Sequence, residues 1–240
     1  MQNKVIQSLW IGDRLSPIEQ LCINSFIKKG HEFHLYVYNS EISDCPSGIV
    51  LKDANEIIPT NQVYKDEINT YTSFANWFRY KLLFQRGGWW VDMDVVCLQY
   101  FNFEDDYCFT TETIFDDGPA RIIANNAIIK APKGAEFLKD MLEYMDARDL
   151  TKAKWGEFGS RFLQRVLNLY DSYHFIQPPY VFCPINWHQI ELLFDENLDM
   201  SFDKSSAIHL WNNIWRRHGI NKNEQFNPNS IIEKLKREYL

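Results

Sequence analysis

The pattern of apolar and polar residues at the start of the chain predicts a strand, a helix and a second strand. Val5 to Ile11 is a mostly apolar run, and Ser16 followed by Pro17 is typical of a helix start. That helix is expected to end near Lys28, and Phe33 to Tyr38 is the next strand. Strand–helix–strand order predicts a parallel pair in an α/β fold, with ligands outside the carboxyl ends of the strands.

The middle of the chain predicts a longer helix and then a buried strand. Large apolar residues recur at helical spacing from Thr72 to Arg86, and two glycines follow in a position that suits a helix end. The next stretch, Trp89 to Leu98, is rich in Trp, Val and Leu but is interrupted by Asp92 and Asp94. A short apolar run of this kind is typical of a buried strand, so these two carboxylates are the anomaly of the pattern.

The second half of the chain alternates strand and helix patterns, and it completes the expectation of an α/β fold. A last amphipathic helix is expected at the carboxyl end, with its apolar side docked on the rest of the protein. The predicted strands are Cys108 to Thr113, Asn126 to Lys130, Tyr180 to Cys183 and Ala207 to Leu210, and the predicted helices are Ala135 to Met145, Phe162 to Leu169 and Ser230 to Leu240.

Composition narrows the class of protein. The chain of 240 residues is long enough for one α/β domain with a full core. A net charge of -7 argues against a nucleic-acid partner, since nucleic-acid binding depends on clustered basic residues. The five cysteines lack metal-type spacing, and no stretch is long and apolar enough to span a membrane. We therefore expect a cytoplasmic protein.

The two carboxylates of the apolar run need a compensating partner. Burying them unpaired would cost on the order of a few kcal/mol or force them to take up protons. Water at an open strand end or a divalent cation could compensate them, and the cation prefers carboxylate oxygen. On an extended segment, Asp92 and Asp94 would point the same way. Asn76 and Arg79 share one face of the preceding helix, so they are expected to meet the carboxylates.

This arrangement resembles the DXD glycosyltransferases of the GT-A fold, specifically the glycosyltransferase family 32 type in its bacterial capsular and lipopolysaccharide branch. The family pattern is Asp or Asn three residues before Arg, a helix, Gly-Gly, an aromatic residue and Asp-x-Asp. It appears here as Asn76, Arg79, Gly87-Gly88, Trp89-Trp90 and Asp92-Met93-Asp94. Asn76 stands where Asp is the commoner residue.

The resemblance extends over most of the chain. Leu9-Trp10-Ile11-Gly12 is similar to the first-strand segment whose Trp stacks on the donor base, and Asn125 to Ile129 is similar to the strand beside the donor sugar. Trp155 to Gly159 matches a further family segment, with Ser160 in place of the usual Pro. His209-Leu210-Trp211-Asn212 resembles the segment that closes over metal and pyrophosphate.

The resemblance implies a single GT-A domain over residues 1–240, with a mixed, mostly parallel sheet and a carboxyl-terminal helix at about 228–240. It implies transfer of a hexosyl unit from a UDP- or GDP-sugar to a glycan or lipid-linked glycan, with retention and an α-linkage, in surface polysaccharide synthesis. The implied metal ion is Mn²⁺ or Mg²⁺, held by Asp92, Asp94 and His209. The implied catalytic residues are Asp92, Asp94 and Arg79, and the implied donor-binding residues are Trp10, Asn76, Arg79, Gly88, Asp92, Asn126, Trp211 and Asn212.

Several alternatives stay open from the residues alone. Asp92 could serve the ribose of a nucleotide instead of the metal, and a lone His209 is more often structural than a ligand. A haloacid-dehalogenase-like phosphatase also uses an apolar strand followed by Asp-x-Asp, although the later Lys and Gly-Asp-x-x-x-Asp segment of that class is missing. A sugar-binding protein without catalytic activity is a third hypothesis. The terminal helix could also contact a membrane surface.

Overall fold

The structure is a computed structural model that describes residues 3–115 and 118–240. The strands are β1 (Val5–Trp10), β2 (Glu32–Val37), β3 (Val50–Asp53), β4 (Gly88–Val91), β5 (Val95–Cys97), β6 (Cys108–Ile114), β7 (Arg121–Ala131) and β8 (Ala207–His209). The α-helices are α1 (Pro17–Lys28), α2 (Thr72–Arg86), α3 (Glu136–Asp146), α4 (Ser160–Leu167), α5 (Pro179–Phe182), α6 (Asn212–Arg217) and α7 (Ile231–Tyr239). Short 3-10 helices lie at Ala54–Glu56, Thr60–Gln62, Leu150–Lys152, Tyr173–Phe175 and Trp187–Leu193.

A six-stranded sheet organises the molecule, in the order β3-β2-β1-β4-β7-β6. The first four strands of this order run parallel to one another, whereas β7 runs antiparallel to both β4 and β6. The predicted α/β class with a mixed, mostly parallel sheet is confirmed. Because β1 and β4 are parallel neighbours, the residues that follow them, Ile11 and Asp92, emerge at the same edge of the sheet.

A second sheet of two strands carries the chain beyond the carboxylate pair. In it, β5 pairs antiparallel with β8, and Val95 is opposite His209. The backbone N–H of Leu210 donates to the carbonyl of Asp94 at 2.8 Å and extends the ladder. The residues just before β5 and at the end of β8 therefore meet, although they are far apart in sequence.

Apolar side chains fill both faces of the large sheet. Trp89 and Trp90 are both buried and belong to different core clusters, as the alternation of a strand requires. Helices α1 and α7 contribute to the first cluster together with the β5–β8 pair, and α2, α3 and α4 contribute to the second. The sheet is thus covered on both sides, which leaves its strand ends as the place for a ligand.

The carboxyl-terminal helix packs against α1 in this structure. The apolar side of α7 consists of Ile231, Ile232, Leu235 and Tyr239, and all four side chains are buried. The face that would touch a membrane is therefore covered by the protein. No helix among the described residues has the length and apolar character needed to cross a membrane.

Two details of the secondary structure differ from expectation. The predicted strand from Tyr180 to Cys183 is helix α5, because Pro179 is at the first helical position and its carbonyl accepts from Cys183 N–H at 2.7 Å. The expectation of an extended Asp-x-Asp segment was also wrong. Asp92 to Asp94 form a turn, closed by Val95 N–H donating to the Asp92 carbonyl at 3.2 Å. The two carboxylates share a site because of this turn and not because of strand alternation.

Gly87, between α2 and β4, is expected to be the more sensitive of two left-handed glycines. Gly87 has φ 69° and ψ -171°, a region that other residues rarely adopt, and a Cβ there would lie 2.5 Å from the backbone nitrogen of Lys133. Gly134 has φ 75°, but a Cβ there would meet nothing within 4 Å. We expect Gly134→Ala to cost about 1–2 kcal/mol and Gly87→Ala clearly more. Urea unfolding of both variants checks this, and equal losses would contradict it.

Buried His31 is expected to make the fold sensitive to acid. Its Nε2 accepts from the Phe101 backbone N–H at 3.0 Å, and burial lowers the pKa of His31 to about 4 from 6.5. Below the pKa of His31 in the unfolded chain, the unfolded chain binds a proton that the folded chain does not. The free energy of unfolding therefore decreases by about 3 kcal/mol as the pH is lowered from about 6.5 to about 4. His31→Gln keeps an acceptor without titrating and should flatten the pH dependence of urea unfolding. Exposed His174→Gln should leave it unchanged, and equal slopes would refute the assignment.

Candidate functional site

One large cavity opens at the carboxyl ends of β1 and β4, with a volume of about 1290 Å³. It also reaches the β5–β8 pair and the start of α6. All but one of the site residues singled out from the sequence line it. They are Trp10, Asn76, Arg79, Asp92, Asp94, Asn126, His209, Trp211 and Asn212.

Gly88 is the exception among those residues. It begins β4 and therefore lies at the opposite end of the strand from Asp92, where it pairs with Ala131 of β7. It does not line the cavity. Its hydrogen at Cα lets Gln7 approach, since a Cβ there would lie 3.2 Å from Gln7 Nε2. The predicted donor-binding role of Gly88 is thus not supported by its position, and a packing role explains it.

Asp92 is held by two neighbours through one of its oxygens. Its Oδ1 accepts from Arg79 Nη2 at 2.7 Å and from Trp90 Nε1 at 2.8 Å. Burial raises the pKa of Asp92, and the charge of Arg79 opposes that effect. These two bonds fix the carboxylate and leave Oδ2 for a ligand in the cavity.

Arg79 connects three parts of the site. Besides Asp92, it donates from Nη1 to the backbone carbonyl of Asn126 on β7, and its guanidinium lies 5.0 Å from the ring centre of Trp90. Only 5% of its side chain is exposed, and its Nε is buried without a partner in the described structure. A buried guanidinium in this position supplies fixed positive charge at the cavity wall.

Asp94 meets the carboxyl-terminal part of the chain. Its Oδ2 accepts from the backbone N–H of Asn212 at 2.8 Å, and its Oδ1 lies 3.3 Å from His209 Nε2. Burial pushes the pKa of Asp94 up, but the charge of His209 and these contacts outweigh it and lower the pKa. Burial alone would lower the pKa of His209, because it disfavours the charged imidazolium. The nearby charge of Asp94 outweighs burial and raises the pKa of His209 well above its usual value.

The three side chains form a set that suits a divalent cation. One ligand atom each from Asp92, Asp94 and His209 lies within 4.8 Å of the others. Two carboxylates with an imidazole are a mixed oxygen and nitrogen donor set, which Mn²⁺ accepts readily. Nε2 is the ring nitrogen of His209 that faces Asp94, at 3.3 Å from Oδ1, so it is the atom that would bind an ion beside the carboxylates. The residues present therefore fit a metal ion.

Trp211 lines the cavity and packs its ring against His209. The two rings lie with centroids 3.8 Å apart, and Trp211 Nε1 donates to the carbonyl of Ile185 at 2.8 Å. Trp211 is 7% exposed and has φ 58°, which is strained for a residue with a Cβ. The strained backbone turns the chain so that the N–H of Asn212 points at Asp94.

Trp10 occupies the end of β1 and is flanked by a pair that the sequence did not suggest. Lys222 Nζ lies 5.5 Å from the Trp10 ring centre and 2.5 Å from Oε1 of Glu19. Glu19 is 1% exposed and also accepts from the Ser16 backbone N–H in the capping box of α1. Lys222 therefore ties the loop after α6 to α1 beside Trp10. A separation of 203 residues explains why no local pattern pointed to this contact.

The cavity lining contains a second contact that sequence reasoning missed. Arg217 at the end of α6 stacks on Trp155, with its Cζ 3.8 Å from the ring centre. Both residues line the cavity, as do Trp187 and Glu112. No local pattern in the sequence predicts this contact. The contact joins α6 to the loop before α4.

Comparison with known proteins agrees with this geometry. A model described as "Glycosyltransferase sugar-binding region containing DXD motif" matches residues 16–111, and "Alpha 1,4-glycosyltransferase conserved region" matches residues 130–239. No curated protein matches the chain. A solved structure described as "PaToxG Glycosyltransferase" is 16% identical, with a TM-score of 0.50, and the alignment covers 70% of this chain and 69% of that one. At this level of sequence identity, the similarity shows a shared fold and nothing more.

A second solved structure, described as a transferase mutant, is 12% identical over 72% of this chain and 86% of that one, and its TM-score of 0.46 is too low to support any conclusion. The two family models lie on either side of the cavity residues of β7, and the first contains the Asp92 to Asp94 turn. A DXD sugar-binding region implies a nucleotide-sugar donor and a divalent metal ion in general. The protein is therefore a glycosyltransferase enzyme with a GT-A-like α/β fold.

Proposed function

We propose that the enzyme transfers a hexosyl unit from a nucleoside diphosphate sugar to a glycan hydroxyl in a metal-dependent reaction. The convergence of Asp92, Asp94 and His209 at the strand ends carries this proposal. The acceptor is a glycan or lipid-linked glycan of surface polysaccharide synthesis, as in the bacterial branch of glycosyltransferase family 32. The enzyme then works in the cytoplasm or at the inner face of the membrane.

Asp94, His209 and the free oxygen of Asp92 would hold the metal ion. When bound, Mn²⁺ or Mg²⁺ offsets the negative charge that develops on the departing diphosphate. Asn212 supports this arrangement, because its backbone N–H fixes Asp94 Oδ2 and so limits the rotation of the carboxylate.

The protein's own residues bind and orient the donor. Trp10 offers an aromatic surface for the base at the end of β1, and the Lys222–Glu19 pair lies beside it. Arg79 keeps Asp92 in place and, with Asn76 and Asn126, forms the wall against which the sugar would lie. Elsewhere in the cavity lining, the Trp155–Arg217 stack is suited to a sugar acceptor, because aromatic rings pack against the apolar faces of sugars.

Retention of the anomeric configuration, giving an α-linkage, rests on the family resemblance. The single-domain organisation over residues 1–240 has the same basis. Analysis of the product by NMR distinguishes the α- from the β-anomer, and a β-linked product would refute retention while leaving the donor chemistry intact.

A haloacid-dehalogenase-like phosphatase is the less favoured alternative. In that class the first Asp attacks phosphorus, so it must be a free nucleophile. Here Oδ1 of Asp92 accepts from both Arg79 and Trp90, which draws charge from the carboxylate. The family models that match are those of glycosyltransferases.

A screen of UDP- and GDP-sugars tests the proposal. With Mn²⁺ we expect at least one nucleotide sugar to be hydrolysed slowly or to raise the melting temperature, and EDTA should remove both effects. A phosphomonoester such as p-nitrophenyl phosphate should not be cleaved. If no nucleotide sugar responds with any divalent metal, the proposed function is wrong.

A further inference from the structure

A buried hydrogen-bond chain runs from the loop before α4 to the cavity wall. Tyr80 OH donates to the backbone carbonyl of Phe158 at 2.8 Å. The side-chain nitrogen of Asn126 lies 3.1 Å from Tyr80 OH and 2.8 Å from Oδ1 of Asn76. Tyr80 is fully buried, whereas Asn76 and Asn126 line the cavity. The chain therefore ends at the wall beside Arg79.

The direction of every bond in this chain is fixed by its buried end. A backbone carbonyl can only accept, so the one hydroxyl hydrogen of Tyr80 is used for Phe158. Toward Asn126 the Tyr80 oxygen can then only accept, which requires the NH₂ group of Asn126 to face it. The second hydrogen of that NH₂ group points to Asn76, so Asn76 must present its oxygen.

Asn76 is thereby left with its NH₂ group as the free end. Its Nδ2 donates to no described residue and is not among the enclosed atoms that lack a partner. Because Asn76 lines the cavity, this group is a hydrogen-bond donor at the wall. An Asp at the same position would accept from Asn126 with one oxygen and present a second acceptor to the cavity.

We propose that the NH₂ group of Asn76 donates a hydrogen bond to the sugar of the nucleotide sugar. The sugar atom that faces Asn76 must then be a hydrogen-bond acceptor. This inference rests on the proposed function and specifies the sugar subsite of the same cavity. Tyr80 acts as a positioning residue, because it sets the orientation of the Asn76 amide through Asn126 without lining the cavity. The substrate class is a nucleotide sugar whose recognised oxygen accepts and need not donate.

Fluorinated nucleotide sugars distinguish an Asn76 side chain that donates a hydrogen bond to the sugar from one that accepts a hydrogen bond. Fluorine in place of a hydroxyl group can accept a hydrogen bond but cannot donate one. The probes are the best nucleotide sugar of the screen, its monodeoxyfluoro analogues and the parent nucleoside diphosphate. The quantity is the ratio of the Kd of each analogue to the Kd of the parent sugar, measured by calorimetry with metal present. This ratio cancels any general effect of a variant on the diphosphate.

In the wild type, we expect fluorine to be tolerated at one sugar position, with a ratio below about threefold. In Asn76→Asp the same analogue should be weakened by about tenfold or more, since a carboxylate needs a donating hydroxyl group there. Tyr80→Phe should give a ratio between these two values. Without the Tyr80 oxygen, the side-chain amides of Asn126 and Asn76 can exchange the positions of their oxygen and nitrogen atoms. Tyr38→Phe is the matched control, since Tyr38 OH also donates to a backbone carbonyl at 2.8 Å, that of Ile58, and it should match the wild type.

Three outcomes would overturn the inference in different ways. Equal ratios in the wild type and in Asn76→Asp, with the nucleoside diphosphate still bound, would overturn the reading of Asn76 alone. Ratios in Tyr80→Phe that equal the wild-type values would remove the positioning role of Tyr80 and with it the reason for the fixed amide. Failure of the wild type to bind any nucleoside diphosphate would overturn the proposed function and this inference together.

Discussion

Replacing Asp94 by Asn is expected to lower kcat/KM for glycosyl transfer by on the order of 1,000-fold. The amide keeps the size of the side chain and an oxygen for the Asn212 N–H, but it loses the charge that faces His209. A neutral oxygen is a weaker metal ligand than a carboxylate, so the diphosphate leaves with less of its charge offset. Steady-state kinetics with saturating Mn²⁺ would measure the effect.

An exposed carboxylate provides the matched control for this variant. Asp199 is exposed and does not line the cavity, so Asp199→Asn should leave kcat/KM within about twofold of the wild type. Unfolding of Asp94→Asn by urea shows whether the fold is kept. Transfer at near wild-type rates by a folded Asp94→Asn variant would remove Asp94 from the proposed metal site.

Replacing Arg79 by Met is expected to damage both stability and activity. The change removes the bonds to Asp92 and to the carbonyl of Asn126, and it leaves the half-buried Asp92 carboxylate without its cation. Removing one partner of a buried ion pair typically costs about 3–5 kcal/mol, and the exposure of Asp92 places the expected loss near the lower value. We also expect kcat/KM to fall by about 100-fold or more, because Asp92 loses its fixed orientation.

Arg86, at the end of the same helix, is the control for Arg79. It pairs with Glu56 at 2.9 Å, but both side chains are about half exposed, at 48% and 54%. Arg86→Met should therefore cost less than about 1 kcal/mol and leave kcat/KM unchanged. Urea unfolding and kinetics on both variants give the comparison. Similar losses of stability in the two variants would show that the buried pair has no special weight.

Much of the fold was accessible from the sequence because its signals are local. Ser16 and Pro17 open α1 with a complete capping box, and the strand–helix–strand start forms the parallel core of the sheet. The failures came from segments too short for a periodic pattern to decide. The Tyr180 to Cys183 run suits a strand by composition, but Pro179 begins a helical turn.

The site was partly predictable for a different reason. Asp92 and Asp94 stand out as charges in an apolar run, and His209 and Trp10 entered through the family resemblance. What the sequence could not reveal is how distant segments meet. The pairing of Val95 with His209, the Lys222–Glu19 bond and the chain from Tyr80 to Asn76 depend on tertiary packing. No local periodicity reports such contacts.

The central claim is that Asp92, Asp94 and His209 bind a nucleoside diphosphate through a divalent metal ion. Calorimetric titration of UDP and GDP into the wild-type protein tests it most directly, in Mn²⁺, in Mg²⁺ and in EDTA. We predict that one nucleotide binds with metal, that its affinity falls at least about tenfold in EDTA, and that Asp94→Asn reproduces this loss in Mn²⁺. Equal affinity in Mn²⁺ and in EDTA, or in the wild type and Asp94→Asn, would contradict the claim.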